Sequence, residues 1–222
     1  MAGQTPRHGR YGLLLLAALL SLIVQGIVNP SAVQQVIVTA LAGIMLLLAL
    51  RAARLSPRVM RIASALAIAA LVVSIVKATA GGIGEGAARS TNAALIALGP
   101  PAIVVGLVRD LRETGSVRVL SLFGVLSLYM LIGMGFGFVY GAIDYFGGDP
   151  VFAAGQSATV SNCLYFSFIT LSTVGYGDFV ARTDLGHTLA VFEALIGQIY
   201  LVTVVSLIVT NLRRPIRDGA PA

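Results

Sequence analysis

Several residue types are almost absent from this sequence. Its 222 residues include no tryptophan, one cysteine and two histidines, and only 11% of them are charged. The single Cys163 excludes an intrachain disulfide, and His8 and His187 have no clustered Cys, Asp or Glu beside them, which argues against a metal site or an enzyme. With 57% hydrophobic residues, the chain is not a soluble domain with a polar surface but a membrane protein.

Long apolar segments define the predicted topology. A membrane-spanning helix needs about 20 mostly apolar residues, and six segments approach that length. The sequence therefore predicts an all-α membrane protein with six transmembrane helices. They lie approximately at residues 11–28, 32–50, 62–76, 93–108, 119–143 and 185–212.

The basic residues predict the orientation of these helices. Lys and Arg in short loops stay on the cytoplasmic side of a membrane, and in this topology twelve arginines fall on one side. Only Lys77, Arg89 and Arg182 fall on the other side, so both termini are predicted to be cytoplasmic in a multi-pass cell-membrane protein. The twelve are Arg7, Arg10, Arg51, Arg54, Arg58, Arg61, Arg109, Arg112, Arg118, Arg213, Arg214 and Arg217.

The loop between the second and third helices concentrates four of these arginines. Topology alone accounts for them, and so does recognition of anionic lipid headgroups, which basic clusters beside membrane helices also perform. The sequence leaves both interpretations open for Arg51, Arg54, Arg58 and Arg61. Because the basic residues are dispersed over several loops, nucleic acid is not predicted as a partner.

The most specific motif is the run Thr-Val-Gly-Tyr-Gly-Asp at residues 173–178, between the fifth and sixth apolar segments. Six specified residues coincide by chance about once in 10⁷ to 10⁸ positions. The carbonyl oxygens of a TVGYG loop replace the hydration shell of K⁺. Residues 162–172 before it predict a helix of half a span, and irregular backbone at that depth must be surrounded by protein or line water. The region is predicted to be a re-entrant pore loop.

Each residue type in the motif has a physical role. The carbonyls from Thr173 to Tyr176 and the Thr173 hydroxyl supply rings of oxygens around the ion. Gly175 and Gly177 allow the positive φ that such a strand needs. The side chains of Val174 and Tyr176 are expected to point away from the axis and pack against the pore helix. One loop per chain implies a homotetrameric pore.

Residues 119–212, including the stretch from Tyr165 to Thr170, resemble the two-helix pore module of potassium channels. The whole chain is similar to a six-span prokaryotic-type subunit. This implies a four-span N-terminal membrane domain over 1–115, a pore domain over 116–212 and a short cytoplasmic tail over 213–222. It implies ion binding at Thr173, Val174, Gly175, Tyr176 and Gly177, an outer mouth at Asp178, and filter support from Tyr165, Phe166 and Thr170.

The resemblance also implies a gating hinge at Gly197, which follows Gly177 at the spacing of the family's inner-helix glycine. A packing glycine is the alternative. Glu193, an ionisable residue within the sixth helix, is predicted either to hydrogen-bond to the pore helix or turret, or to sense protons.

The chain departs from the family in three ways. No tryptophan is present to brace the filter. Ile169 stands where some relatives carry a carboxylate, so Asp178 is expected to lack that partner. Residues 92–108 carry no basic side chain and are interrupted by Pro100 and Pro101, so the channel is predicted to be voltage-insensitive.

The sequence thus predicts a non-enzymatic, potassium-selective channel that conducts K⁺ passively and needs no cofactor beyond the permeant ion. A nonselective cation channel, a potassium transporter and an accessory channel subunit are the alternatives. The gating stimulus and the use of the first four helices are left open.

Overall fold

The structure, a computed structural model, describes residues 9–27, 31–53, 55–80, 92, 95–96, 98–114 and 119–206. Within these residues the fold is almost entirely helical. The helices are α1 (Gly9–Ile27), α2 (Ala32–Ala52), α3 (Pro57–Ala80), α4 (Gly99–Thr114), α5 (Val119–Phe146), α6 (Val160–Leu171) and α7 (Asp184–Tyr200). A π-helical turn, Leu201–Val205, continues α7.

The first four helices form a layer that packs on α5, the first helix of the C-terminal half of the chain. We call α5, α6, the segment 173–178 and α7 the pore half. α2 is central to this layer, with α1, α3 and α4 packed against it, and both α1 and α4 contact α5. The buried core runs without a break from Leu14 on α1 through Met45 on α2 and Ile103 on α4 to Leu131 on α5. Apolar burial therefore joins the two parts of the chain.

Three of the helices have a serine or threonine at the N-cap position. Ser31, Thr159 and Thr183 precede α2, α6 and α7, and each accepts a hydrogen bond from the backbone N–H three residues later. This satisfies one of the N–H groups that a helix start leaves unpaired.

The fourth apolar segment is broken beside Pro100 and Pro101. Residues 92, 95 and 96 are helical, Leu98 lies in a turn, and a new helix, α4, begins at Gly99. The described residues thus agree with the interruption that the sequence analysis expects. Both prolines lie in the first turn of α4, where a proline is tolerated because the missing N–H has no intrahelical partner in any case. Of the segment predicted at 93–108, positions 93, 94 and 97 lie outside the described residues.

Among the described residues, four helices are long and apolar enough to cross a membrane. They are Ala32–Ala52, Pro57–Val76, Leu122–Phe146 and Asp184–Val204, and Tyr11–Ile27 and Val160–Leu171 are shorter apolar helices. The chain is therefore an all-helical membrane protein with several spans. Six spans stay a prediction, and residues 207–212 of the sixth lie outside the described part.

Two glycines on α5 allow α6 to pack closely against it. A Cβ at Gly133 would lie 2.7 Å from the Phe168 ring, and one at Gly137 would lie 2.7 Å from the Leu164 side chain. The four-residue spacing places both glycines on one face of α5. This face positions α6, and with it the segment that carries the motif.

Candidate functional site: the filter segment and its supports

In the segment after α6, every second residue has a positive backbone φ angle. Thr173 has φ +58°, Gly175 has φ +51° and Gly177 has φ +79°. The positive φ predicted for the two glycines is confirmed. Thr173 was not expected to share it, and a β-branched residue in this region is strained unless its surroundings hold it there. The filter segment, residues 173–178, is thus a strand with alternating backbone conformation.

Hydrogen bonds to the end of α6 hold this strand. The N–H groups of Val174 and Gly175 both donate to the Ile169 carbonyl, over 2.9 and 3.1 Å, and the Thr173 N–H donates to the Thr170 carbonyl over 2.9 Å. The last carbonyls of a helix have no intrahelical partner. Thr170, predicted to support the filter, contributes through its backbone, and Ile169 contributes in the same way.

The side chains of the filter segment are open in the single chain. Val174 is 52% exposed and Tyr176 is 72% exposed. The expectation that these side chains pack against the pore helix is therefore not met within one chain. Tyr176 thus presents an exposed aromatic ring beside α6. Another protein element can cover this surface.

Asp178 is held from two directions. The Tyr165 hydroxyl donates to Asp178 Oδ2 over 2.7 Å, and Gln156 Nε2 donates to the Asp178 carbonyl over 2.5 Å. A tyrosine hydroxyl keeps its proton at neutral pH, so Tyr165 is the donor and the Asp178 carboxylate the acceptor. The carboxylate partner that the sequence lacks at Ile169 is replaced by a phenol from α6.

Aromatic rings surround this end of the segment. Phe152 and Phe179 meet edge to face at 5.2 Å, Phe179 meets Tyr165 at 5.7 Å, and Phe166 meets Phe152 at 5.2 Å and Tyr140 at 5.0 Å. Edge-to-face pairs at these distances are favourable. A β-bridge between Phe152 and Ala181 closes the loop behind them. Five smaller rings thus occupy the region where a tryptophan brace is missing.

Glu193 is completely buried in the interface of three helices. Its Oε2 accepts a hydrogen bond from the Tyr140 hydroxyl on α5 over 2.8 Å, and its Oε1 is hydrogen-bonded to the Ser167 hydroxyl on α6. Ser167 Oγ also lies 2.6 Å from the Gly133 carbonyl. The predicted hydrogen bond to the pore helix is therefore present, and a second one reaches the outer helix.

The last turn of α7 touches the N-terminal end of the filter segment. A Cβ at Gly197 would collide with the main-chain carbonyl of Leu171, so this glycine has a packing role in the structure. Gln198, the next residue, donates from Nε2 to Thr173 Oγ1 over 2.8 Å. Further along, the Tyr200 hydroxyl donates to the Val125 carbonyl on α5.

Sequence reasoning missed several of these contacts. Gln198 carried a usable signal, because it is a polar residue inside an apolar span and such residues usually have a function or a partner. Tyr140 and Ser167 carried none, because a tyrosine and a serine in helices of this composition are unremarkable. Gln156 lies in a polar loop, where nothing distinguishes it from its neighbours.

Of the twelve arginines on the predicted cytoplasmic side, four have described side chains. Arg58 and Arg61 are exposed on α3, and Arg51 is exposed at the end of α2. Arg109 donates to the Ala53 carbonyl over 2.7 Å and so caps the end of α2. Arg54 and the tail arginines lie outside the described residues.

The part of the chain that contains this site matches a known class of protein. Residues 124–214 match the family model described as "Ion channel". This match covers α6, the filter segment and α7, together with most of α5. It supports an ion channel in the membrane.

Two named relatives point to potassium channels. The chain is 45% identical over 51 residues to the calcium-activated potassium channel slowpoke of Drosophila melanogaster, which is 22% of this chain and 4% of that protein. It is 31% identical over 74 residues to the inward rectifier potassium channel Kirbac3.1 of Paramagnetospirillum magnetotacticum, which is 33% of this chain and 25% of that one. The chain thus spans a quarter or less of these relatives. Together the matches support the potassium channel family.

Proposed function

We propose that this protein is a homotetrameric channel that conducts K⁺ selectively and passively across the cell membrane. The observation that carries the proposal is the alternating backbone of the filter segment, with positive φ at Thr173, Gly175 and Gly177. Alternation of this kind turns successive carbonyl groups to the same side of a strand. Four such strands around an axis supply the rings of oxygens that replace the hydration shell of K⁺.

The hydrogen bonds behind the strand support the same function. A filter separates K⁺ from Na⁺ only if its oxygens keep their positions or their field strength as the ion passes. The Ile169 and Thr170 carbonyls hold the inner part of the strand, and Tyr165 and Gln156 hold Asp178 at the outer end. Tyr165 and Phe166 support the filter in this proposal, and four copies of Asp178 raise the cation concentration at the mouth.

The exposed side chains of the segment support a tetramer. Val174 and Tyr176 are half or more exposed in one chain, and one chain contains one pore loop. In the tetramer a neighbouring subunit covers these side chains, and the oxygens face the common axis. Measured by light scattering after subtraction of detergent, the particle should have four times the 23.0 kDa mass of the chain.

The remaining predictions complete the proposal. Both termini lie in the cytoplasm, the filter opens to the outside, and residues 1–115, 116–212 and 213–222 form the sensor-like domain, the pore domain and the tail. Arg51, Arg54, Arg58 and Arg61 face the inner leaflet, where anionic headgroups are available. The order of the elements and the single intact motif argue against a potassium transporter built from four repeated loops.

The test is the reversal potential of the purified protein in planar bilayers with K⁺ on one side and Na⁺ on the other. A reversal close to the K⁺ equilibrium potential supports the proposal. A reversal near zero would identify a nonselective cation channel. Silence of the correctly assembled tetramer under varied pH, lipid and voltage would contradict conduction by this chain alone and favour an accessory subunit.

A matched pair of variants makes this test specific to the filter. Gly175 and Gly155 both have positive φ, +51° and +68°, and a Cβ at either has nothing within 4 Å. Gly175→Ala and Gly155→Ala therefore carry a similar backbone penalty of about 1–2 kcal/mol per chain. We expect Gly175→Ala to abolish K⁺ selectivity or current, and Gly155→Ala, in the outer loop, to keep both. Equal currents in the two variants would contradict the assignment of the filter.

A further inference from the structure

Gln198 connects the inner helix to the inner end of the filter segment. Its Nε2 donates to Thr173 Oγ1 over 2.8 Å, and both residues are exposed in the single chain. Its neighbours Ile196 and Ile199 on α7 and Val202 in the π-helical turn are exposed and apolar. A lone amide in such a setting that reaches a hydroxyl of the filter is more than a packing residue.

The position of this amide is fixed by its surroundings. Gly197 lies so close to the Leu171 carbonyl that a Cβ has no room, which sets the distance between α7 and the end of α6. Thr173 has a left-handed backbone with φ +58°, and its N–H is bonded to Thr170. The hydroxyl and the amide are therefore held against each other from both sides.

We propose that Gln198 is a positioning residue that weakens the innermost cation site of the filter through Thr173. This inference rests on the proposed function, in which the Thr173 hydroxyl oxygen faces the ion. A hydroxyl oxygen has two lone pairs, and the Gln198 N–H occupies one of them. Four copies place four partial positive charges behind the innermost ring, and these charges repel a cation there.

A weaker inner site has a use in conduction. Ions must bind strongly enough to enter a filter and weakly enough to leave it. The repulsion acts on a divalent ion with twice the charge, so Gln198 disfavours divalent cations at the inner entrance more than it disfavours K⁺. The residue thus favours release of K⁺ and opposes block by a divalent ion of similar size.

The test measures block by Ba²⁺, a divalent ion of nearly the same size as K⁺, applied from the cytoplasmic side of the full-length tetramer in planar bilayers. Gln198→Met keeps the length of the side chain and removes the donor. We expect its internal Ba²⁺ dissociation constant to fall by about fivefold, the effect of one ordinary hydrogen bond. Gln198→Glu, which replaces the donor by a negative charge, should lower it further.

Two controls separate this role from a general change in the pore. Gln35→Met, which removes an amide on α2 outside the filter segment and its supports, should leave the internal Ba²⁺ constant within about twofold of the parent. Thr173→Val removes the hydroxyl, so Gln198→Met should have no effect on Ba²⁺ block in that background, whereas Thr173→Ser keeps the hydroxyl and should preserve the effect.

An unchanged or weaker internal Ba²⁺ block in Gln198→Met would overturn the inference, and the sign alone decides this even if Thr173→Val does not conduct. An equal shift in the presence and absence of the Thr173 hydroxyl would overturn it as well. These results are distinct from failure of the proposed function, which is a parent channel without K⁺-selective current.

Discussion

The Asp178 carboxylate accepts a hydrogen bond from the hydroxyl group of Tyr165. Tyr165 reaches it from α6 over 2.7 Å, while the rest of the Tyr165 ring packs against Phe179. Tyr165→Phe therefore removes the hydrogen bond and keeps the ring. In our proposal the outer end of the filter is then less firmly held, because the Asp178 carboxylate keeps only the Phe179 N–H and the Asp178 carbonyl keeps the Gln156 amide.

We expect Tyr165→Phe to accelerate the decline of K⁺ current during sustained activity by about three- to tenfold, the range for an ordinary hydrogen bond. The measurement is the time course of current at constant voltage. Tyr145→Phe, at an exposed tyrosine on the last turn of α5, is the matched control and should behave like the parent. Indistinguishable time courses for both variants would exclude a bracing role for the Tyr165 hydroxyl.

Glu193 joins three helices through its two carboxyl oxygens. Glu193→Ala leaves the buried Tyr140 hydroxyl without this partner, at a cost of about 1–3 kcal/mol, while the Ser167 hydroxyl keeps the Gly133 carbonyl. Glu193→Gln can accept from Tyr140 and donate to Ser167, which in turn donates to Gly133. We expect the alanine variant to lower the melting temperature of the protein clearly and the glutamine variant to change it little.

The same pair of variants tests the predicted proton sensing. If Glu193 senses protons, a pH dependence of the parent current is lost in Glu193→Gln, because the amide does not titrate. If the pH dependence of the glutamine variant matches that of the parent, Glu193 has the structural role only.

At the scale of helices, glycines set how closely the pore elements approach. Gly197→Ala places a methyl group on the Leu171 carbonyl, whereas a Cβ at Gly135 on α5 meets nothing within 4 Å. Alanine is favoured over glycine in a helix by about 1 kcal/mol. We therefore expect Gly197→Ala to destabilise the tetramer and Gly135→Ala to leave it equal or more stable, measured by thermal unfolding.

The alternative role of Gly197 as a hinge gives a different result. A hinge glycine changes open probability when it is replaced, while the assembled tetramer keeps its stability. A stable Gly197→Ala tetramer with altered gating would therefore favour the hinge that the resemblance implies. Loss of stability favours packing.

The helices of the pore half could be predicted well from sequence, and their contacts could not. Apolar length and the motif placed α5, α6 and the start of α7 within a few residues, because hydrophobic runs and turn residues are local signals. Pro100 and Pro101 indicated the break in the fourth segment, because a proline cannot continue a helix and is tolerated in the first turn of the next one. The bond between Gln198 and Thr173 joins residues 25 positions apart, and no local pattern records it.

At the scale of the whole molecule, the four N-terminal helices are attached to the pore half of their own chain. Tyr11 on α1 lies among three other helices: a Cβ at Gly106 on α4 would be 3.0 Å from its hydroxyl and 3.2 Å from the Ala52 carbonyl of α2. The Ser127 hydroxyl on α5 lies 3.3 Å from the Tyr11 carbonyl. The layer of four N-terminal helices is thus packed firmly against α5. Among the described residues, none of these helices carries an arginine at mid-depth that could act as a gating charge.

Voltage dependence should accordingly be weak. Arg109, on α4, is bonded to the end of α2, and a charge that does not cross the field gains none of the roughly 2.3 kcal/mol per 100 mV that drives a sensor. We expect the conductance–voltage relation of the open channel in symmetrical K⁺ to be nearly flat. A steep sigmoidal relation in the absence of blocking ions would contradict this.

The contact between Ser127 and Tyr11 also has a consequence for biosynthesis. The two residues are 116 positions apart, and a ribosome adds about 5–20 residues per second. For about 6–23 s after Tyr11 is made, α1 therefore lacks α5, one of the two helices on which it mainly packs. A chain terminated before residue 127 should accordingly be degraded faster than the full-length chain, measured by pulse-chase labelling.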